Sequence, residues 1–264
     1  MHQLFKVHVF LSFAILLFVS GCAVNPVTGQ QQLMLVSEQQ ESQLGVKTDK
    51  SVIEQYGVYA DNQLQGYMQG IGNMMGRLSH RPGLNWSFKV MDTPVVNAFA
   101  APGGYIYVTR GLLAAVNNEA ELAAVLGHEI GHVTARHSAQ QYSNMMLATL
   151  GLSLGQSLLG SYGDIMGPIM ETGAGLLFLK FSRDDEREAD ALGVEYASRA
   201  GYDAGRMADF FITLQRQSTL DGQDSARLPE FFSTHPNPVN REANVRAMAK
   251  EWQVKSAHRD FLVN

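Results

Sequence analysis

The chain has 264 residues, of which 45% are hydrophobic, and this size and composition predict one globular domain with a sizeable core. Its formal net charge of −5 offers no basic surface of the kind that binds nucleic acid, so we expect no nucleic-acid partner. The only cysteine, Cys22, excludes an intramolecular disulfide and a zinc–thiolate site within one chain.

The first residues carry the features of a secretory signal. Lys6 precedes an apolar run over residues 9–19, which is too short for a confident membrane span. The run ends in two small residues, Ser20 and Gly21, directly before Cys22. This pattern resembles the signal of a bacterial lipoprotein, in which the cysteine is acylated.

From this resemblance we expect a signal peptide over 1–21, lipidation of Cys22 and a lipid-anchored N-terminal segment over 22–36, followed by the main domain over 37–264. The alternative is a free cysteine buried in a core segment. By resemblance to Gram-negative lipoproteins, Ala23 in place of an aspartate predicts anchoring in the bacterial outer membrane, facing the periplasm.

Helical and strand patterns follow one another in the first part of the domain. Ser37 can begin a helix that runs to about Tyr56, and Asp61 can begin a second helix. Over residues 84–109 the hydrophobic period changes to two, in three segments separated by turn residues. This pattern predicts a small antiparallel sheet.

One stretch of this sheet is a candidate substrate-binding edge: Asn97, Ala98, Phe99 and Ala100. In zinc peptidases a strand edge beside the metal can pair, main chain to main chain, with an extended substrate, and this pairing aligns the scissile carbonyl. The alternative is an ordinary interior hairpin.

A zinc-binding motif, HEIGH, occupies residues 128–132. Asn118 and the apolar face that follows it predict a helix here, so His128 and His132, four residues apart, direct their imidazoles to one point. Two neutral imidazoles bind Zn²⁺, and an adjacent carboxylate can take the proton of a water at an open coordination position. The motif predicts one zinc ion per chain and Glu129 as the catalytic base.

A catalytic zinc site usually has three protein ligands, so a third is expected elsewhere. Ser182 can begin an acid-rich helix that ends near Gly201. Glu186 and Asp190 share a face of this helix, whereas Glu188 is rotated by about 200° from Glu186. We predict Glu186 as the third zinc ligand and Asp190 as the acceptor of a ligating histidine's other N–H. The alternative is a solvated, charged helix face.

Residues 139–180 lie between these two helices and lack the ~20 clean apolar residues that a membrane span needs. We expect packed helices beside the cleft or a flap over it, with contact to the membrane surface as an alternative. His137 is predicted to be a surface residue, because it lies five positions after His132 and off the ligand face. Asp203 and Asn237 can begin the last two helices.

Several motifs together resemble metallopeptidase family 48, the gluzincins that include HtpX and the CAAX prenyl protease. They are HEIGH, EREAD at 186–190, NAFAAPGGYIYVTRGLL at 97–113 and STHPNPVNR at 233–241. The lipoprotein start and the NPVTG stretch are most similar to the periplasmic lipoprotein branch. The resemblance, over about residues 24–250, implies an α+β, mainly α-helical zincin-type domain with a small antiparallel sheet beside the HExxH helix.

The resemblance also implies a zinc endopeptidase of the envelope with His128, His132 and Glu186 as ligands and Glu129 as base. It implies unfolded or misassembled envelope proteins as substrates and the outer-membrane assembly machinery as a candidate partner. The TPR helical repeats that follow the peptidase domain in that branch are not found here, which leaves docking to this machinery open.

The Thr-His-Pro motif at 234–236 raises a question about the state of the zinc. By the resemblance, His235 is either a fourth zinc ligand that occupies the water position or a donor to the oxyanion during turnover. Arg241 is expected to orient this loop or to bind a substrate carbonyl. Two rival functions stay open: a lipid-anchored chaperone or assembly factor with a closed, structural zinc, and a zinc hydrolase of another amide such as cell-wall peptide.

Overall fold

The structure is a computed structural model that describes residues 22–155, 180–220, 230–236 and 240–262. The expected signal peptide over 1–21 and most of the expected flap over 139–180 lie outside the described residues. The described strands are β1 (Cys22–Val24), β2 (Gln31–Leu33), β3 (Ser87–Met91), β4 (Ala98–Ala101) and β5 (Tyr105–Thr109). The described helices are α1 (Glu38–Tyr56), α2 (Asn62–Arg77), α3 (Arg110–Ala115), α4 (Glu119–Thr134), α5 (His137–Gly155), α6 (Arg183–Arg199), α7 (Arg206–Leu220), α8 (Glu230–Thr234) and α9 (Arg241–Leu262).

The expected mainly helical α+β class is confirmed, and so are several helix starts. The Ser37 hydroxyl accepts a hydrogen bond from the backbone N–H of Gln40, whose side chain accepts one from the backbone N–H of Ser37. Ser182 and Asp185 form the same reciprocal arrangement at α6. These caps satisfy N–H groups that have no partner within the helix, and so determine where each helix begins.

The three-stranded sheet is mixed, with the order β3-β5-β4. β4 and β5 are antiparallel, but β3 is parallel to β5, with Ser87 opposite Tyr105 and Met91 opposite Thr109. The prediction of a wholly antiparallel sheet is therefore wrong. The chain leaves β3, forms β4 at the edge, and returns to the middle through a tight turn in which Gly103 has a φ of 79°. Alternation of apolar residues predicts strands but does not order them.

Helix α4 lies at the centre of the core, and every residue from Glu121 to Thr134 is buried. It packs closely along α6, because glycines stand where the two helices meet. A Cβ on Gly127 would lie 2.8 Å from the Gly193 carbonyl oxygen, and a Cβ on Gly193 would lie 2.8 Å from the His128 nitrogen. The glycines therefore bring the acid-rich helix against the HEIGH helix.

The last helix begins later than expected, at Arg241 rather than near Asn237. Asn240, directly before this helix, has a φ of 61°, a left-handed conformation that is uncommon for residues other than glycine but that asparagine adopts more often than most. Residues 237–239 lie outside the described residues. No helix in the described ranges is long and apolar enough to cross a membrane.

Candidate metal centre

Four buried side chains direct their donor atoms at one point. His128, His132, Glu186 and His235 each offer one such atom, all within 4.8 Å of one another. His128 Nε2 lies 3.1 Å from His132 Nε2 and 3.3 Å from His235 Nδ1. Glu186 Oε1 lies 3.0 Å from His235 Nδ1 and 3.4 Å from His132 Nε2. The four side chains expose no more than 1% of their surface.

Three elements bring these side chains together. The two α4 histidines share a helix face, and Glu186 faces them from the first turn of α6. His235 follows α8, where its backbone N–H donates to the Phe231 carbonyl at 2.8 Å. The Phe231 ring stacks on that of His235 at 4.7 Å, and the Phe231 N–H donates to Val96, so α8 is attached to the segment before β4.

The donor set fits a zinc ion. Imidazole nitrogens and a carboxylate oxygen are ordinary zinc ligands. His235 Nε2 makes no hydrogen bond to any described residue although it is buried, and Glu186 Oε2 has an ion pair with Arg241 Nη2, at 3.1 Å, but no hydrogen bond of good geometry. Burying polar atoms without partners costs free energy. A bound cation would balance the negative charge of the carboxylate and interact with the lone pairs of the imidazole nitrogens that face it.

The electrostatics favour the ligating forms of two residues. Burial alone would raise the pKa of Glu186, but the charge of His235 and hydrogen bonds from His132 and His235 outweigh it and hold that pKa well below its usual value. Burial lowers the pKa of His132 well below the usual value for histidine. An ionised carboxylate and a neutral imidazole are the forms that bind metal.

His235 differs from His132 in its ionisation. Burial acts to lower the pKa of His235, but the attraction of Glu186 and Glu129 exceeds this effect and raises it. His235 is therefore the more readily protonated of the two in the metal-free protein.

Glu129 is fully buried next to the donor cluster, with Oε1 3.6 Å from His235 Nε2. Neither carboxylate oxygen makes a hydrogen bond to a described residue. Burial raises the pKa of Glu129, mainly because the charged form loses its hydration. A raised pKa brings a carboxylate closer to the value that suits a general base near neutral pH.

Asp190 lies directly behind His128, with Oδ1 2.9 Å from His128 Nδ1. Arg241 binds this carboxylate in a fork: its Nε donates to Oδ2 at 2.8 Å and its Nη2 donates to Oδ1 at 2.7 Å. The guanidinium also lies 4.0 Å from the centre of the Phe211 ring and 3.1 Å from Glu186. The pairing of Arg241 with Asp190 is not predictable from the sequence, because the two residues are far apart in the chain and no spacing rule connects them.

The prediction that His137 is a surface residue is wrong, since only 2% of it is exposed. Its Nδ1 lies 2.9 Å from His132 Nδ1, and its Nε2 lies 3.1 Å from Glu188 Oε2. The prediction assumed a continuous helix, but α4 ends at Thr134 and Arg136 adopts a φ of 62°. This left-handed residue turns the chain back, so that His137 returns onto the ring of His132.

The candidate edge strand lies beside α4 and at the end of the sheet order. Asn97 accepts a hydrogen bond from the Thr109 N–H, so in the antiparallel register the N–H and C=O groups of Ala98 and Ala100 point away from β5. Among the described strands, none pairs with β4 on that side. Asn97, Ala98, Phe99 and Ala100 are buried as whole residues, main chain included, with no more than 9% of any of them exposed. The substrate-binding role of this edge stays a prediction.

Comparison with known proteins identifies the family. The sequence model of peptidase family M48 matches residues 62–249, which hold all four donor residues. A mitochondrial metalloendopeptidase OMA1 from Schizosaccharomyces pombe is 30% identical over 236 residues, covering 87% of this chain and 67% of that protein.

Two further relatives differ in how much they share with this chain. The OMA1 protein of Arabidopsis thaliana is 38% identical over 165 residues, covering 62% of this chain and 31% of that protein. The beta-barrel assembly-enhancing protease of Escherichia coli K12 is 30% identical over 256 residues, covering 92% of this chain and 51% of that protein. The chain spans about a third to two thirds of the length of these three relatives. From the family match over residues 62–249 we conclude that the chain belongs to peptidase family M48.

Proposed function

We propose that this protein is a zinc-dependent endopeptidase of the bacterial envelope that degrades or processes unfolded or misassembled periplasmic and outer-membrane proteins. The observation that carries the proposal is the convergence of four buried donor atoms beside the unpaired carboxylate of Glu129. The resemblance to beta-barrel assembly-enhancing proteases supports the envelope substrates. The mitochondrial relatives are also named metalloendopeptidases, so the peptidase resemblance alone does not distinguish a bacterial from a mitochondrial location. The proposed bacterial location is based on the lipoprotein-like residues before Cys22.

In this proposal His128, His132 and Glu186 hold one zinc ion per chain. The zinc supplies a Lewis acid that polarises the peptide carbonyl and makes water a better nucleophile. Glu129 takes the proton of the attacking water and passes it to the leaving amine, a role for which its raised pKa is suited. Asp190 keeps the proton of His128 on Nδ1, so that Nε2 of that ring faces the metal.

The edge of β4 that pairs with no described strand is proposed to hold a substrate, without strict sequence demands, once the cover over its buried residues opens. The main-chain groups of Ala98 and Ala100 that point away from β5 would pair with an extended peptide. An unfolded chain can adopt that conformation, whereas a folded domain has its strands already paired. This difference favours unfolded proteins as the substrate class.

His235 is proposed to be a latch. Its Nδ1 is one of the four converging donor atoms, and in that place it would take the coordination position that a reacting water needs. Movement of the His235 side chain away from the other three donors would open the position. His235 Nε2 faces Glu129 at 3.6 Å, so the same histidine covers both the metal position and the proposed base.

One observation favours a second function. Four protein donors with no open position are typical of structural zinc, and His235 completes such a set. A lipid-anchored chaperone or assembly factor with a permanently closed site would have this geometry. In both functions we propose that residues 1–21 are a signal peptide and that lipidated Cys22 anchors the protein to the outer membrane.

The experiment is cleavage of an unfolded outer-membrane β-barrel protein by the full chain, with bound zinc measured in every sample. Wild type is expected to cut slowly, His235→Ala faster, and Glu129→Gln not at all while retaining zinc. Zinc in all three without any cleavage would contradict the protease and favour the chaperone. Release of cell-wall peptides without cleavage of protein would identify the other amide hydrolase.

A further inference from the structure

A second row of polar groups lies behind His132, on the side of its ring away from the donor cluster. His132 Nδ1 is 2.9 Å from Nδ1 of His137, and His137 Nε2 is 3.1 Å from Oε2 of Glu188. Asp185 is the next carboxylate, 3.7 Å from the same His137 nitrogen. We propose that His137, supported by Glu188, is a positioning residue that fixes the tautomer and ring orientation of His132. This inference rests on the metal site of the proposed function.

The proton positions along this row follow from the metal-facing atom. His132 directs Nε2 at the donor cluster, so that nitrogen must carry a lone pair when a metal is bound and the hydrogen must be on Nδ1. The neighbouring His137 Nδ1 must then accept, which places the hydrogen of a neutral His137 on Nε2. That N–H points to the carboxylate of Glu188. Each donor in the row therefore meets one acceptor, and only one arrangement of hydrogens satisfies all of them.

The backbone holds His137 in this place. Arg136, with its left-handed φ of 62°, donates from Nε to the buried carboxylate of Glu41 at 2.8 Å and from Nη2 to the Val36 carbonyl at 3.0 Å. These bonds fix the turn between α4 and α5, and His137 is the first residue of α5. The His137 ring is therefore positioned by a buried turn whose arginine is hydrogen-bonded to Val36 and Glu41.

Phe181 stacks on one face of the His132 ring at a centroid distance of 3.9 Å. Because His132 is fully buried and only 2% of His137 is exposed, water is a poor substitute for the acceptor on His137. The arrangement parallels Asp190 behind His128, except that here a histidine stands between the ligand and the carboxylate. The two α4 ligands therefore have different supports, one from α6 directly and one from α6 through His137.

Three substitutions separate the contacts of His137. His137→Phe keeps the ring volume and removes both hydrogen bonds. In His137→Asn, the amide oxygen can accept the hydrogen of His132 Nδ1 but does not reach Glu188. In His137→Gln, the amide can replace the bond to Glu188 but not the acceptor beside His132. Glu195→Gln is the control, because Glu195 lies on α6 like Glu188, the partner of His137. The side chain of Glu195 is 21% exposed, against 30% for Glu188, and it pairs with Arg199 instead of His137.

The measurement is the zinc dissociation constant of each full-length variant, determined by competition with a chromogenic chelator, together with the thermal unfolding of the metal-free forms. Loss of an outer partner of a ligating histidine typically costs about 10–100-fold in metal affinity. We expect a loss of this size for His137→Phe and His137→Gln, recovery of most of the affinity in His137→Asn, and none lost in Glu195→Gln. The metal-free forms of His137→Asn and His137→Gln should have similar melting temperatures. A difference in zinc affinity between the two variants then reports on the acceptor beside His132 and not on the stability of the fold.

Two results would overturn the inference. Wild-type zinc affinity in His137→Phe, while wild type binds zinc and cleaves protein, would contradict the positioning role and leave the proposed function intact. Equal affinities for His137→Asn and His137→Gln would show that the acceptor beside His132 is not what matters. Failure of wild type to bind zinc would instead contradict the proposed function itself. Should His137→Phe not fold, Glu188→Ala replaces it, with weaker zinc binding than Glu195→Ala expected.

Discussion

Replacing Glu41 by alanine is expected to destabilise the protein strongly, although this residue lies outside the metal site. Glu41 is 1% exposed and accepts hydrogen bonds from two buried arginines. Arg81 reaches its two oxygens at 2.8 and 3.4 Å, and Arg136 reaches Oε2 at 2.8 Å. The Gly103 N–H donates to Oε1 at 3.4 Å, which joins the turn before β5 to the same carboxylate. One carboxylate on α1 therefore connects the segments after α2 and α4 with the sheet.

The expected magnitude follows from burial. Glu41→Ala removes the buried anion shared by two buried guanidinium groups and leaves Arg81 with only the exposed carboxylate of Glu38, 3.9 Å away. Breaking a buried ion pair from one side costs about 3–5 kcal/mol. Glu38→Ala is the matched control: Glu38 is on the same helix, 3.9 Å from Arg81, but its side chain is 71% exposed. A surface pair of this kind contributes about 0–1 kcal/mol.

The assay is urea unfolding of the two variants and of wild type, with thermal unfolding as a second measure. For a domain of this size, roughly 2–4 °C of melting temperature are lost per kcal/mol, so Glu41→Ala should melt about 6–20 °C below wild type. Glu38→Ala should stay within about 4 °C. A Glu41→Ala protein as stable as Glu38→Ala would instead show that the two buried arginines need no anionic partner.

Further predictions concern the site and the helix contact that forms it. Glu129→Gln should retain zinc and fold while losing about 10²–10⁴-fold in turnover, measured as peptide cleavage; wild-type turnover would contradict its role as base. Asp190→Asn should weaken zinc binding about 10–100-fold in a chelator competition, and unchanged binding would contradict its support of His128. Gly127→Ala should cost about 1–3 kcal/mol in urea unfolding, because its new Cβ would meet the Gly193 backbone at 2.8 Å. Gly70→Ala, which meets nothing within 4 Å, should instead stabilise its helix by about 0.5–1 kcal/mol. Equal effects at the two glycines would refute the close contact of α4 and α6.

The parts of the molecule that depend on local rules could be predicted from the sequence. Ser37 and Ser182 begin helices because their hydroxyls satisfy free N–H groups, and that chemistry is visible within four residues. Helical spacing likewise predicts that His128 and His132 share one face of their helix and that Glu186 and Asp190 share one face of a second helix. The structure brings these two faces together, as two glycines allow.

The parts that depend on a change of chain direction could not be predicted. A continuous helix would place His137 on the surface, whereas the left-handed backbone at Arg136 turns the chain and buries it. The parallel pairing of β3 with β5 depends on strand order, which alternation does not encode. The Arg241–Asp190 pair depends on the packing of α9 against α6, between residues that no local pattern connects.

We propose that the buried donor cluster binds one catalytic zinc ion. The most direct measurement is X-ray absorption at the zinc edge on the purified full-length protein, with metal content determined in parallel for wild type and His128→Ala. We predict one zinc per chain in wild type, bound by imidazole nitrogens and a carboxylate oxygen at about 2.0–2.2 Å, and loss of the metal in His128→Ala. A wild-type protein that retains no zinc, or a His128→Ala protein that retains it in the same coordination, would contradict the account.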